Sequence, residues 1–168
     1  MKKVMVVFGG LFFSLSVLIG VSNAADKLAY VDLSRTFSEY GKTKDYDKIL
    51  GDKQTAYETE RDKKVNEVKQ LQDKFNLLSE KEKETKKAEL EAKFKALQEY
   101  DRQKQTDLRK EQDERMKEIL KNIEETVKQY AEKEGYVFVF NDRVLIYQSP
   151  NMDITNKIIE NLNKSYKK

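Results

Sequence analysis

Cysteine, histidine and tryptophan are all missing from the 168-residue chain. Their absence excludes disulfides, thiolate and imidazole catalysis, and the usual zinc sites. Beyond residue 24 only Gly41, Gly51 and Gly135 remain as glycines, and a phosphate-cradling glycine loop cannot be built from them. ATP-driven work loses its usual binding element with that loop. Asp and Glu are abundant, yet they lie scattered on helix faces without a cleft to perturb them. No catalytic, cofactor-binding or metal-binding residue is expected, and no cofactor.

What the chain does have is charge and helix. Between Asp52 and Glu134 lie 83 consecutive residues without a Gly or Pro, and 43 of them are Asp, Glu, Lys or Arg in nearly equal numbers of each sign. Such a stretch is helical. As one helix it would run on the order of 125 Å at about 1.5 Å per residue, so the chain must project an arm from any compact body.

The N-terminus reads Lys2-Lys3, an apolar run from Val4 to Val21, then Ser22-Asn23-Ala24. That is the layout of a secretory signal peptide cleaved after Ala24. A retained membrane anchor is the alternative, which Gly9, Gly10, Ser14 and Ser16 weaken. Removal of residues 1–24 takes away two lysines and no acid, leaving 31 basic against 30 acidic residues. This near-balance, with bases alternating with acids and few aromatic platforms, gives no nucleic-acid partner.

Lys27–Val31 is a short β-prone run, and Asp32 is placed to cap a helical segment through Phe37. From about Lys42, Tyr46, Leu50, Tyr57, Val68, Leu71, Phe75 and Leu78 fall mostly on steps of three, four or seven, interrupted by Arg61 and Lys64. Ser79 and Glu82 have the spacing of a capping box, so the chain is expected to reverse near 77–82. A second stripe follows through Leu90, Phe94, Leu97, Leu108, Met116, Ile119 or Leu120, Ile123, Val127 and Tyr130, with Asp101 and Lys104 in the seam. Two such helices make an antiparallel hairpin whose second helix, about 55 residues, outlasts the first, about 36. The polar mid-arm seam predicts a pliant arm.

Gly135 ends the second helix as a C-cap glycine. Tyr136–Phe140 and Val144–Tyr147 are nearly continuous apolar runs around Asn141-Asp142-Arg143, read as a β-hairpin. Pro150 lies in the following loop, and Asp153 caps a last helix with Ile154, Ile158 and Leu162 on one face. These pieces are too small to hold a core alone while both strand faces ask for burial, so several chains are expected to pool their sheets. The boundaries are a signal peptide at 1–24, a first strand and short helix at 25–41, a helical arm at 42–134, and a β-hairpin with a C-terminal helix at 135–168.

The runs Leu28-Ala-Tyr-Val-Asp-Leu-Ser-Arg-Thr-Phe37, Glu134-Gly-Tyr-Val-Phe-Val-Phe140, Val144-Leu-Ile-Tyr147 and Asp153-Ile-Thr155 through Leu162 resemble the Skp, or outer-membrane-protein-H-like, family of periplasmic chaperones. The resemblance implies an α+β, mostly helical fold: a small β-sheet body, trimeric in the family, carrying one long helical hairpin per chain around a central cavity. It implies a periplasmic, ATP-independent holdase that keeps unfolded outer-membrane β-barrel proteins from aggregating. Lipopolysaccharide is a further partner proposed within the family, but no basic motif for it can be matched, and Arg109-Lys110 and Lys86-Lys87 receive no such role.

On that reading Phe75, Leu78, Leu90, Phe94 and Leu97 are candidates for client contact as well as for zipping the arm. Leu28, Tyr30, Phe138, Phe140, Leu145 and Tyr147 are assigned to the oligomerisation body. The chief alternative is a secreted coiled-coil scaffold that binds a specific folded partner through passive struts.

Overall fold

The computed structural model describes residues 26–167. The expected signal peptide lies outside these residues. The element order is β1 (Lys27–Val31), α1 (Leu33–Glu39), α2 (Gly41–Asn76), α3 (Glu80–Glu134), β2 (Tyr136–Asn141) and α4 (Thr155–Tyr166), with short 3₁₀ turns at Asp142–Val144 and Pro150–Met152.

The two strands are parallel, with Leu28 opposite Phe138, Ala29 opposite Val139 and Tyr30 opposite Phe140. Parallel neighbours cannot be joined by a tight turn and need a long crossover. Here the whole helical hairpin is that crossover. Lys27 extends its ammonium to the carbonyl of Glu134 at 2.9 Å, satisfying an orphan acceptor at the end of α3 and placing a cation at the negative end of the helix dipole. Gly135 closes the helix at φ 74°, a left-handed conformation that a side chain would oppose.

Side chains alternate across this small sheet. Ala29, Val31 and Val139 face inward onto Ile119 and Ile123 of α3, Ile154 just before α4, and Ile158 and Leu162 of α4, which form the core. The extra length of α3 is thereby explained. Lys42 at the start of α2 pairs with Glu118, and the remainder of α3 continues past that level, where Ile123, Val127 and Tyr130 cover the sheet. Burial of a few aliphatic side chains at about 1.5–3 kcal/mol each is the main force holding the body together.

Polar contacts fix how the elements meet. Asp32 caps α1 by accepting from the Arg35 N–H at 2.8 Å. The Gly41 N–H, at the start of α2, donates to Asn163 Oδ1 of α4 at 2.7 Å. A Cβ on Gly41 would stand 3.1 Å from that same oxygen, so the close approach favours glycine. Tyr166 adds a hydroxyl bond to Asp45 at 2.6 Å, tying the last turn of α4 to the arm root.

The expected β-hairpin is corrected by the structure. Only its first half forms a strand, and that strand pairs with β1 rather than with Val144–Tyr147. Asn141-Asp142-Arg143 lacks the glycine that a two-residue hairpin turn favours. Instead Asn141 Oδ1 accepts from the Arg143 N–H, and the Leu145 N–H bonds the Asp142 carbonyl at 3.1 Å, bending the chain into a 3₁₀ turn. The Arg143 guanidinium donates to the Ser34 hydroxyl, anchoring the turn to α1. The Asp153 cap is displaced by one position: its carboxylate accepts the Thr155 N–H at 2.8 Å, while Ile154 occupies the cap position.

Candidate functional site

Two surfaces attract attention, the arm and the outer face of the sheet. At about 1.5 Å per residue, the 36 residues of α2 carry the hairpin roughly 54 Å out from its root. Its reversal lies at Leu77–Ser79, between the end of α2 and the start of α3. Glu82 accepts from the Ser79 backbone N–H at 3.0 Å and from the Ser79 hydroxyl, so the capping carboxylate also organises the turn. These bonds to the charged form hold the Glu82 carboxyl below its ordinary range.

Along the seam, charged clusters alternate with isolated apolar contacts. At the root, Glu118 accepts from Lys42 at 2.6 Å and from the Tyr46 hydroxyl at 2.9 Å, while Arg115 reaches the same carboxylate at 3.3 Å. Farther out Lys53 meets Glu111 at 2.6 Å. At mid-arm Asp101 accepts from the Tyr57 hydroxyl and from Arg61 Nε, each at 3.2 Å. Tyr57 and Val68 are the buried apolar side chains of this outer seam. Arg61 and Asp101, which break the hydrophobic stripes in the sequence, thus face each other across the arm.

The proposed client-contact residues fall into two groups. Phe75, Leu78, Leu90 and Leu97 are half-buried in the hairpin, and Phe94 is more open, at 37% exposure. Leu77, unassigned in the sequence reading, stands 88% exposed at the turn. Its exposure follows from its position as the C-cap of α2, where the chain leaves the helix and no second helix lies opposite.

Three of the six proposed body residues share one sheet face. Leu28, Phe138 and Phe140 project from adjacent strands away from the core, and the two phenylalanine rings stack with centroids 6.0 Å apart. Phe138 is 57% exposed. Tyr30 differs: its side chain is buried, and its carbonyl accepts from the Ile154 N–H at 3.0 Å. Leu145 is half-buried, whereas Tyr147 lies exposed beside Ile146 and Val144 on the chain that follows the sheet. Parallel sheets are ordinarily covered on both faces. Here helices cover one face and leave an apolar surface on the other.

The structural contacts that the sequence did not single out are polar. Glu118 joins the arm helices at their root, Asn163 and Tyr166 tie α4 to that root, and Thr155 accepts the Asp32 N–H. No local motif announces such long-range pairings. Among the described residues no cluster of acidic side chains suits a metal ion, and no helix is long and apolar enough to cross a membrane.

Residues 27–162 match the family described as outer membrane protein (OmpH-like). No curated protein matches the chain in sequence. Among solved structures, a candidate outer membrane chaperone (OmpH-like) from Caulobacter crescentus superposes with a TM-score of 0.74 at 16% identity, covering 84% of this chain and 86% of that one. At that identity the likeness is one of fold. The family match spans most of the chain and carries the assignment: this protein belongs to the OmpH-like family.

Proposed function

We propose that the protein is an ATP-independent holdase of the periplasm, exported by a signal peptide cleaved after Ala24, that shelters unfolded outer-membrane β-barrel proteins between the arms of an oligomer. The observation that carries this reading is the combination of an uncovered apolar sheet face with a long, charge-balanced arm rooted in the same small body. Sheet faces from several copies, three by analogy with the family, bury one another and point their arms in a common direction. A client between those arms is kept from other copies of itself.

Unfolded barrel strands expose apolar side chains and unpaired backbone groups that template aggregation. Many weak arm contacts sum to firm holding, since each contact after the first is effectively intramolecular. Release requires only a destination that binds or folds the client more favourably. The half-buried residues near the turn, with Phe94 and Leu77, supply apolar contacts, and the surrounding ion pairs keep the arm soluble.

Native mass spectrometry of the mature protein, after dilution of a denatured barrel protein into it, tests the proposal. Retention of one client by an oligomer is expected. A stable oligomer that retains none would move the function to a scaffold for a folded partner, and a folded monomer would overturn the shared-sheet argument.

A further inference from the structure

The arm displays little apolar surface for the task. Below the level of Glu118, its exposed large apolar side chains among the described residues are Ile49, Phe94 and Met116 on the helices and Leu77 at the turn. More lies within the seam, where Tyr57 is buried and Tyr100 and Leu108 are half-buried.

At that level the packing of Tyr57 against Tyr100, ring centroids 6.0 Å apart, is fastened by side-chain bonds. Asp101 holds Tyr57 and Arg61 at 3.2 Å each, and Gln105 reaches the Tyr57 hydroxyl at 3.4 Å. Bonds between such partly exposed groups contribute little net stability, since water offers competing partners. Two clefts of about 430 and 510 Å³ run along the hairpin here and share Tyr57 and Leu108 in their walls. The ring that closes the seam is thus flanked by open space.

Gly51 edges the larger cleft inside α2. A Cβ at Gly51 would meet nothing within 4 Å, so packing does not require a glycine there. Its effect is on the helix itself, which a central glycine weakens relative to alanine. Buried aliphatic residues bound this segment on both sides, Val68 toward the turn and Ile119 toward the body.

We propose that the hairpin parts locally at the Asp101 latch, and that Tyr57, Tyr100 and Leu108, once uncovered, bind an extended segment of unfolded β-barrel polypeptide. This rests on the holdase reading. Barrel strands alternate apolar with polar residues. The parted seam offers an aromatic and leucine floor between Lys53 and Lys104 and the carboxylates of Asp107 and Glu111. The floor takes alternate apolar side chains, while groups of both signs receive the polar ones and the unpaired backbone. Reforming the Asp101 bonds expels the segment when the client finds a better partner.

The absence of cysteine makes the test clean. The variant Arg61→Cys with Asp101→Cys removes the latch and accepts a reducible bis-maleimide across the seam. Circular dichroism establishes that its helix content matches the wild type. Cross-linking is expected to weaken capture of a denatured barrel protein by about fivefold or more, with reduction restoring it. Gly51→Ala is expected to weaken capture by about twofold without loss of helix. Equal capture before and after cross-linking would overturn the latch, as would loss of capture in the uncross-linked variant while the wild type still captures. Failure of the wild type to retain any barrel protein would instead remove the holdase reading on which the latch depends.

Discussion

The backbone N–H of Asp32 donates to the hydroxyl of Thr155 at 2.9 Å, joining the end of β1 to the first turn of α4. Thr155 has no solvent exposure, so water cannot replace its hydroxyl as an acceptor. Thr155→Val keeps the shape and leaves the Asp32 donor unsatisfied. The expected cost is about 1–3 kcal/mol, seen as a lower midpoint in urea unfolding, with Thr155→Ser retaining most of the stability. Equal midpoints for the valine variant and the wild type would refute the role assigned to this bond.

Glu118 makes the arm root sensitive to acid. Hydrogen bonds from Lys42 and then from Tyr46 hold its carboxyl below the ordinary carboxylate range. The native state therefore binds this proton less readily than the unfolded chain does. The resulting stability is complete above the unfolded value of about 4.3 and is lost as pH falls through the depressed native value. Glu118→Gln should lower the melting temperature at neutral pH and flatten its decline on acidification. Parallel melting curves for the two proteins from neutral pH downward would exclude this contribution.

Phe138→Asp places a charge on the uncovered sheet face, away from the core of the chain. A shared body should then dissociate, as measured by sedimentation, while circular dichroism retains the arm's helical signal. An unchanged sedimentation coefficient would show that this face is not the interface. Loss of the helical signal as well would mean that the arm depends on assembly.

Phe94→Ala separates client contact from zipping of the arm. The ring is partly exposed, so truncation should reduce affinity for an unfolded barrel protein more than it reduces helix content. Loss of helix with unchanged affinity would assign Phe94 to the hairpin alone.

The arm was legible in the sequence because its signals are local. A glycine- and proline-free stretch, two apolar stripes, the Ser79–Glu82 spacing and Gly135 define its helices and their ends. Strand pairing was less legible. Val144–Tyr147 has strand composition, but composition does not specify a partner, and within one chain β2 pairs with β1 alone. The seam interruptions Arg61 and Asp101 were visible as irregularities; their meeting across the arm depends on the register of two helices. Pairings such as Asp32 with Thr155 and Gly41 with Asn163 join distant segments without any periodic signature.

The parallel pairing of β1 with β2 also sets an order of assembly. Lys27 and Glu134, which meet at the sheet edge, are 107 residues apart in the chain. A chain emerging from its N-terminus presents β1 long before β2 exists to receive it. A flexible connection of that length would make the encounter slow. The helical hairpin shortens the search, because its turns form from near neighbours and fold the intervening chain back on itself. The arm is therefore a folding device, delivering the second strand to the first.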